Sequence, residues 1–462
     1  MTARKPANVS VNESACEIAS DICIIGAGPG GLAVARALRE RNLSYTHLER
    51  NHGVGGIWDI DAPGTPMYES AHFNSSKTES EFGGYPMPES FADYPSHRHI
   101  LEYLHSFAEA YGLTERIEFG VEVTGIEQHA DETWTVSRVD GSSSRHRYVV
   151  MATGSQWYPN IPEVPGFTGD IRHSMDYRSA GELTGKRVLV VGGGNSAADI
   201  ACDAARVAER SVISMRRGYW FIPKHLFGRP VDTIASGGPS LPMWFEQLLF
   251  GALLRLVNGD PRRLGLQKPD HKLFETHPTL TSLLLPYLQH GDIIAKPGIA
   301  HAHGETVVFT DGSRERFDVI VMATGFVHKV PYAQKYLSDE QHPDLYLSAF
   351  SREHAGLFGV GYVETNAGAY PLFDLHAQMI AGFIDDSLQK SPNAARFAHM
   401  IRYDRPDLSG GIKFDGSPRH KGYVNSTTLL KYLRKVVSDM GWRATGNPPP
   451  ARPSQASVAV GS

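Results

Sequence analysis

Cysteine is scarce in this chain. Only Cys16, Cys23 and Cys202 occur among 462 residues. None has a C-x-x-C or zinc-ligand spacing, and an odd count argues against a disulfide framework. That excludes a thiol-redox motif and points to a reducing cytoplasm. A dominant charge sign is missing too. The net charge of −5 supplies no basic field for nucleic acid or an anionic membrane. Long apolar runs are absent. The best candidate, residues 241–257, is interrupted by Glu246, Gln247 and Arg255, and a spanning helix needs about 20 apolar residues. The polar, mixed-charge start of the chain has no signal-peptide core. A G-x-S-x-G elbow for a serine nucleophile is lacking. His97, Arg98 and His99 have no acid or cysteine partner at metal spacing, so no metal site is expected.

Glycine is plentiful, and its placement is informative. Residues 21–25 form a short apolar run that reads as a buried parallel strand. Gly26, Gly28, Gly30 and Gly31 follow, then a helix over residues 32–40, then a strand over residues 45–48 ending at Glu49. This is the dinucleotide fingerprint. Its glycines make a tight turn, let backbone approach a pyrophosphate and pack helix on sheet. The helix N-terminus faces the phosphates. Glu49, about 20 residues after the turn, is placed to take ribose hydroxyls.

The pattern recurs. Residues 186–191 read as a strand, Gly192, Gly194 and Ala197 take the three fingerprint positions, and Asn195 and Ser196 open a helix over residues 197–208. The strand over residues 211–215 ends not in an acid but in Arg216 and Arg217. A guanidinium suits a ribose 2′-phosphate, so the second nucleotide is expected to be NADPH. An internal echo closes both units: residues 148–151 lead to Ala152, Thr153 and Gly154, and residues 319–322 to Ala323, Thr324 and Gly325. The fold class is therefore α/β, two nested Rossmann-like dinucleotide-binding domains. The first domain spans residues 1–167 and resumes over 327–445. The second, 168–326, is inserted into it. Proline-rich crossings around residues 156–166 and Pro331 suit a stiff hinge.

Three further stretches complete the pattern. Phe167, Gly169, His173 and Tyr177 read F-x-G-x-x-x-H-x-x-x-Y; Gly55, Gly56, Ile57 and Trp58 follow the acidic strand end; Asn74 and Lys77 lie in a serine-rich loop. Taken alone, Trp58 could be a core residue or a cofactor cover, and Asn74 a turn former. Together with the two turns these residues resemble the flavin-containing monooxygenases, class B flavoproteins, over roughly residues 21–385. The resemblance implies FAD on the first turn, with Arg50, Gly56, Trp58, Val123, Thr153 and Gly154 among its contacts, and NADPH on the second, with Thr324 and Gly325 nearby. It places Asn74 at the reactive flavin edge and makes His173 a link between domain motion and catalysis. The related Baeyer–Villiger enzymes typically carry Trp where Tyr177 stands. The implied reaction inserts one atom of O2 into a sulfide, an amine or indole through a flavin 4a-hydroperoxide stabilised by NADP+. A ketone monooxygenase and a non-oxygenating NADPH-binding flavoprotein are the rivals. A small-molecule substrate and O2 are the expected partners, with no nucleic acid and no membrane span, and a homodimer is compatible. Residues 219–286 depart from better-studied members. Their Trp220, Phe221, Trp244, Phe245 and Phe250 are expected to form core or the wall of a substrate tunnel, ahead of the alternative that a helix here touches a membrane surface. Residues 446–462, rich in Pro, Ala and Ser, read as a disordered tail.

Overall fold

Ile22–Ile25 is buried along its whole length, as a strand covered on both faces must be. It is the hub of a seven-stranded sheet. In spatial order the strands are Leu345–Tyr346, Phe350–Ser351, Leu357–Gly359, Tyr148–Met151, Ile22–Ile25, Tyr45–Glu49 and Ile117–Phe119. The last five run parallel, and an antiparallel pair closes one edge. A five-stranded sheet stands beside it in the order Ile293–Lys296, Arg210–Ser214, Arg187–Val191, Val319–Met322 and Asp170–His173. All its pairings are parallel. The chain leaves the first sheet after Met151, builds the second between Asp170 and Met322, and returns at Leu345. This is the nested α/β arrangement expected. The computed structural model describes residues 20–236, 242–337, 344–416 and 422–442. Cys16 and the expected tail 446–462 lie outside them.

Element ends shift by a few residues for a physical reason. The first helix is Pro29–Glu40 and the second Asn195–Val207, each starting inside its glycine turn. Gly28 and Gly194 are the N-cap residues, and Pro29 supplies a preset φ at the first helical position. The first helix packs against Tyr370–Leu388, where Arg36 and Asp374 form a buried ion pair.

The two crossings between the sheets run side by side. Pro159 bridges Phe326, Asn160 N–H donates to Gly325 O at 2.9 Å, and Val327 N–H donates to Tyr158 O at 2.8 Å. Thr324 Oγ1 donates to Asn160 O. The prolines thus stiffen a two-stranded connection rather than two independent linkers.

The segment over residues 219–286 is partly a small core of its own, with Ile222, Leu226, Val231, Leu254 and Leu273 buried and Trp220 and Phe250 packed on them. Phe221 is buried. The helix Met243–Asn258 joins that core on one side only. Trp244 (66% exposed), Phe245, Leu248, Leu249 and Leu256 (83% exposed) face solvent. Only Gly251 and Leu254 of this helix are fully buried, because its inner face alone meets that small core. Among the described residues no helix is long and apolar enough to cross a membrane.

Candidate functional site

The first glycine turn is built into the core. A Cβ on Gly31 would lie 1.8 Å from Gly26 O, so no other residue fits beneath the turn. His47, fully buried, holds Gly26 O from below through Nε2 at 2.9 Å. Burial pushes its pKa down to about 4, so the ring is neutral. Glu49 is 5% exposed. Its Oε2 accepts from Ala27 N–H at 2.6 Å and its Oε1 from Asn51 N–H at 2.8 Å. Those contacts hold the carboxyl at the strand end beside the turn, and burial raises its pKa above the ordinary carboxylate value. Gly30 packs against Val360. Gly55 N–H donates to Ala27 O at 3.1 Å, and a Cβ on Gly56 would come 3.1 Å from Gly28 Cα. The second glycine pair therefore lies directly on the first turn.

Other residues expected at this site have mixed positions. The Arg50 guanidinium lies 4.0 Å above the Trp157 ring, and Trp157 Nε1–H donates to Thr153 O at 2.6 Å. Thr153 Oγ1 stands 3.3 Å from the hydroxyls of both Tyr332 and Tyr362, and Gly154 turns with φ +76° beside Trp157. Val123 starts the strand Val123–Gln128, paired with Arg138. Trp58 is buried edge-on to Phe73 at 5.0 Å, and Phe73 meets Tyr370 at 5.3 Å. In this packing the indole is a core residue beneath the 71–76 loop.

The second turn is more open. Gly192 turns with φ +141° against Ala323 O, while a Cβ on Gly194 would meet nothing within 4 Å. Ala197 is fully buried at the third position. The 219–286 segment covers one side. Tyr219 lies on Gly193, Thr279 Oγ1 donates to Gly193 O at 2.6 Å, and Leu280 N–H donates to Asn195 Oδ1 at 2.9 Å. Nothing in the spacing of the turn announced these three residues. At the end of the adjoining strand the two arginines differ. Arg217 is bound to Asp415 at 2.6 Å and Asp270 at 2.8 Å. Arg216 is exposed, with its Cβ beside Gly298.

Asn74 is exposed, and so is His72 two residues before it, whereas Phe73 between them is buried. Phe73 packs on Trp58 and Tyr370 between these two exposed residues. Lys77 is spent on structure, donating to Glu89 O at 2.9 Å and Phe91 O at 2.7 Å. His173 ends its strand fully buried. Its Nε2–H donates to Gly325 O at 3.0 Å and its Nδ1 accepts from Met175 N–H at 3.1 Å. Burial lowers its pKa. A neutral ring thus joins the second sheet to the paired crossings.

Both turns open a helix beside glycine, and the strand that follows leads to an acid, Glu49, at the first and to an arginine, Arg216, at the second. Comparison with known proteins agrees. The chain is 28% identical over 432 residues to flavin-containing monooxygenase 5 of Mus musculus, covering 86% of this chain and 79% of that protein. S-allyl-L-cysteine S-oxygenase from Allium sativum has a similar fold, with a TM-score of 0.63, 21% identity, and coverage of 92% of this chain and 89% of that one. Cyclohexanone monooxygenase from Rhodococcus sp. Phi1, solved with NADP+, gives 0.66 and 19% over 93% of this chain and 99% of that one. The flavin-binding monooxygenase-like family model matches residues 19–404, and the chain belongs to that family.

Proposed function

We propose that this FAD- and NADPH-dependent monooxygenase oxygenates soft nucleophiles, sulfides and tertiary amines first and indole next. One oxygen atom of O2 goes to the substrate lone pair and the other leaves as water, with NADPH supplying two electrons. FAD supplies the oxygen activation when bound. The chain's own residues bind, orient and shield. In this reading Gly26, Gly28, Gly30, Gly31 and the N–H groups of the first helix hold the FAD pyrophosphate. Glu49 takes its ribose, and Arg50, Gly56, Val123, Thr153 and Gly154 line its path, with Trp58 supporting from the core. Gly192, Gly194, Asn195 and Ser196 hold the NADPH pyrophosphate, with Thr324 and Gly325 at the crossing. Asn74 offers an amide to the reacting edge. Arg216 reads the 2′-phosphate, and Arg217, committed to Asp270 and Asp415, braces the strand end.

The single observation that carries the reading is the exposed Arg216 at the second strand end, set against the buried Glu49 at the first. The two nucleotide sites are complementary to different riboses. The substrate class is supported by Tyr177 in the identifying motif. Free, buried Cys23 and Cys202 suit the reducing cytoplasm we assign. The test is NADPH consumption, product and hydrogen peroxide counted together over a panel of sulfides, N,N-dimethylaniline, indole and cyclic ketones. Product close to one per NADPH with a sulfide or amine is expected. Preference for ketones would make this a Baeyer–Villiger enzyme, and peroxide without product a non-oxygenating flavoprotein.

A further inference from the structure

Residues 67–70 precede Asn74 in the chain and belong by sequence to the first nucleotide unit, yet their polar groups are spent on the second. Glu69 N–H donates to Arg178 O at 2.9 Å, and Arg178 donates to Met67 O at 3.2 Å. Tyr68 OH donates to Asp199 Oδ2 at 2.9 Å. Ser70 Oγ and Tyr177 OH both donate to Asp203 Oδ2, at 2.5 and 2.9 Å. Arg206 holds the other oxygen, Oδ1, at 3.2 Å. Asp199 and Asp203 lie four residues apart on the helix Asn195–Val207, one above the other on a single face. That helix starts at the second glycine turn. Tyr177 and Asp203 are almost wholly buried.

We propose that Asp203 and Asp199 are positioning residues that clamp the 67–70 segment to the nucleotide helix, so that the position of this helix sets Asn74. The inference rests on the cofactor assignment above and goes beyond it, because it gives Tyr177 of the identifying motif a mechanical role through Asp203. From Ser70 to Asn74 the chain reaches at most about 14 Å. Phe73 is pinned between Trp58 and Tyr370, so a shift of the anchored end has little slack to absorb it. The Tyr68, Ser70 and Tyr177 contacts are hydroxyl-to-carboxylate bonds, each of which water can replace at a cost of about tenfold in the closing equilibrium. The clamp is built to release and re-form as the nucleotide helix moves, which an apolar interface would resist.

The test compares Asp203→Ala with Asp203→Asn, which keeps an acceptor for Ser70 and Tyr177. Amide exchange over residues 67–76 is read in the purified holoenzyme with and without NADP+, and hydrogen peroxide and product are counted per NADPH with the best substrate of the panel above. Asp203→Ala should raise exchange of this segment about tenfold or more with NADP+ bound, leave exchange of Ile22–Ile25 unchanged, and raise the ratio of peroxide to product about tenfold. Asp203→Asn should restore both to within about threefold. Unchanged exchange in Asp203→Ala, or a loosened segment with an unchanged ratio of peroxide to product, would overturn the clamp. If Asp203→Ala does not fold, the double variant Ser70→Ala/Tyr177→Phe removes the two donors while leaving the Asp203–Arg206 pair, and the same readings decide. The exchange measurement does not depend on turnover. A protein that never binds FAD or NADPH would sink the functional reading instead.

Discussion

The two glycine turns share one fingerprint and differ in construction. Beneath the first, a Cβ on Gly31 would strike Gly26 O, His47 is fully buried and Glu49 is bonded to Ala27 N–H. Beside the second, a Cβ on Gly194 would meet empty space, and Arg216 is exposed. The first turn is continuous with the core and suits a resident cofactor. The second has one open side and suits a nucleotide that arrives, reacts and leaves. Turns of one fingerprint thus differ in what is packed behind them.

The sharpest break of this comparison is a pair of alanines, one at the third fingerprint position of the first turn, where the second turn already carries Ala197, and one at the second position of the second turn. Gly31→Ala forces overlap with backbone, which nothing nearby can relieve, and overpacking alone costs about 1–3 kcal/mol. We expect no folded yellow protein, or one with a large loss of melting temperature and no bound flavin. Gly194→Ala should keep the flavin spectrum and melting temperature while raising the KM for NADPH. Equal damage at both positions would erase the distinction.

A second test uses pH. Folded His47 stays neutral until about pH 4, whereas the unfolded chain takes up that proton near pH 6.5. Below pH 6.5 the unfolded state therefore binds more protons, and stability falls as pH drops toward 4, by about 3 kcal/mol for this residue. His376, also pushed down to about 4 by burial, acts in the same direction. His47→Gln should flatten part of the acid limb in melting curves recorded from pH 4 to 8. An unchanged slope would mean that the first turn is less closed than its packing indicates.

At the second turn, Arg216→Ala should weaken NADPH about ten- to hundredfold and NADH little. Arg217→Ala should lower the melting temperature through lost pairs with Asp270 and Asp415, without choosing between the two nucleotides. Steady-state kinetics with both cofactors separates these. The smallest effect is expected where the two units meet. Asn74→Leu should keep most of the anaerobic flavin reduction and shift the ratio of peroxide to product by about tenfold, the worth of one hydrogen bond. An unchanged ratio would make Asn74 a loop former.

Much of the fold was legible because parallel strands buried on both faces must be short apolar runs, as residues 22–25 and 319–322 are, and because a glycine turn between strand and helix has few uses. Helix starts were set too late, since Gly30, Gly31, Asn195 and Ser196 are helical despite weak propensity. Which side of Met243–Asn258 is covered was not legible, because its few polar residues, Glu246, Gln247 and Arg255, mark no continuous polar stripe.

The chain by itself determined the two nucleotide fingerprints, the acid and the arginine that distinguish them, and the nesting announced by the repeated Ala-Thr-Gly ending. These are local or periodic features, and local chemistry constrains them. Tertiary structure alone decided which arginine is paired, that His47 supports the first turn, that Trp58 lies in the core, and that Asp199 and Asp203 hold residues more than a hundred positions away. Those outcomes depend on burial and on which hydroxyl meets which carboxylate, and neither is a property of any stretch of sequence until the chain has folded.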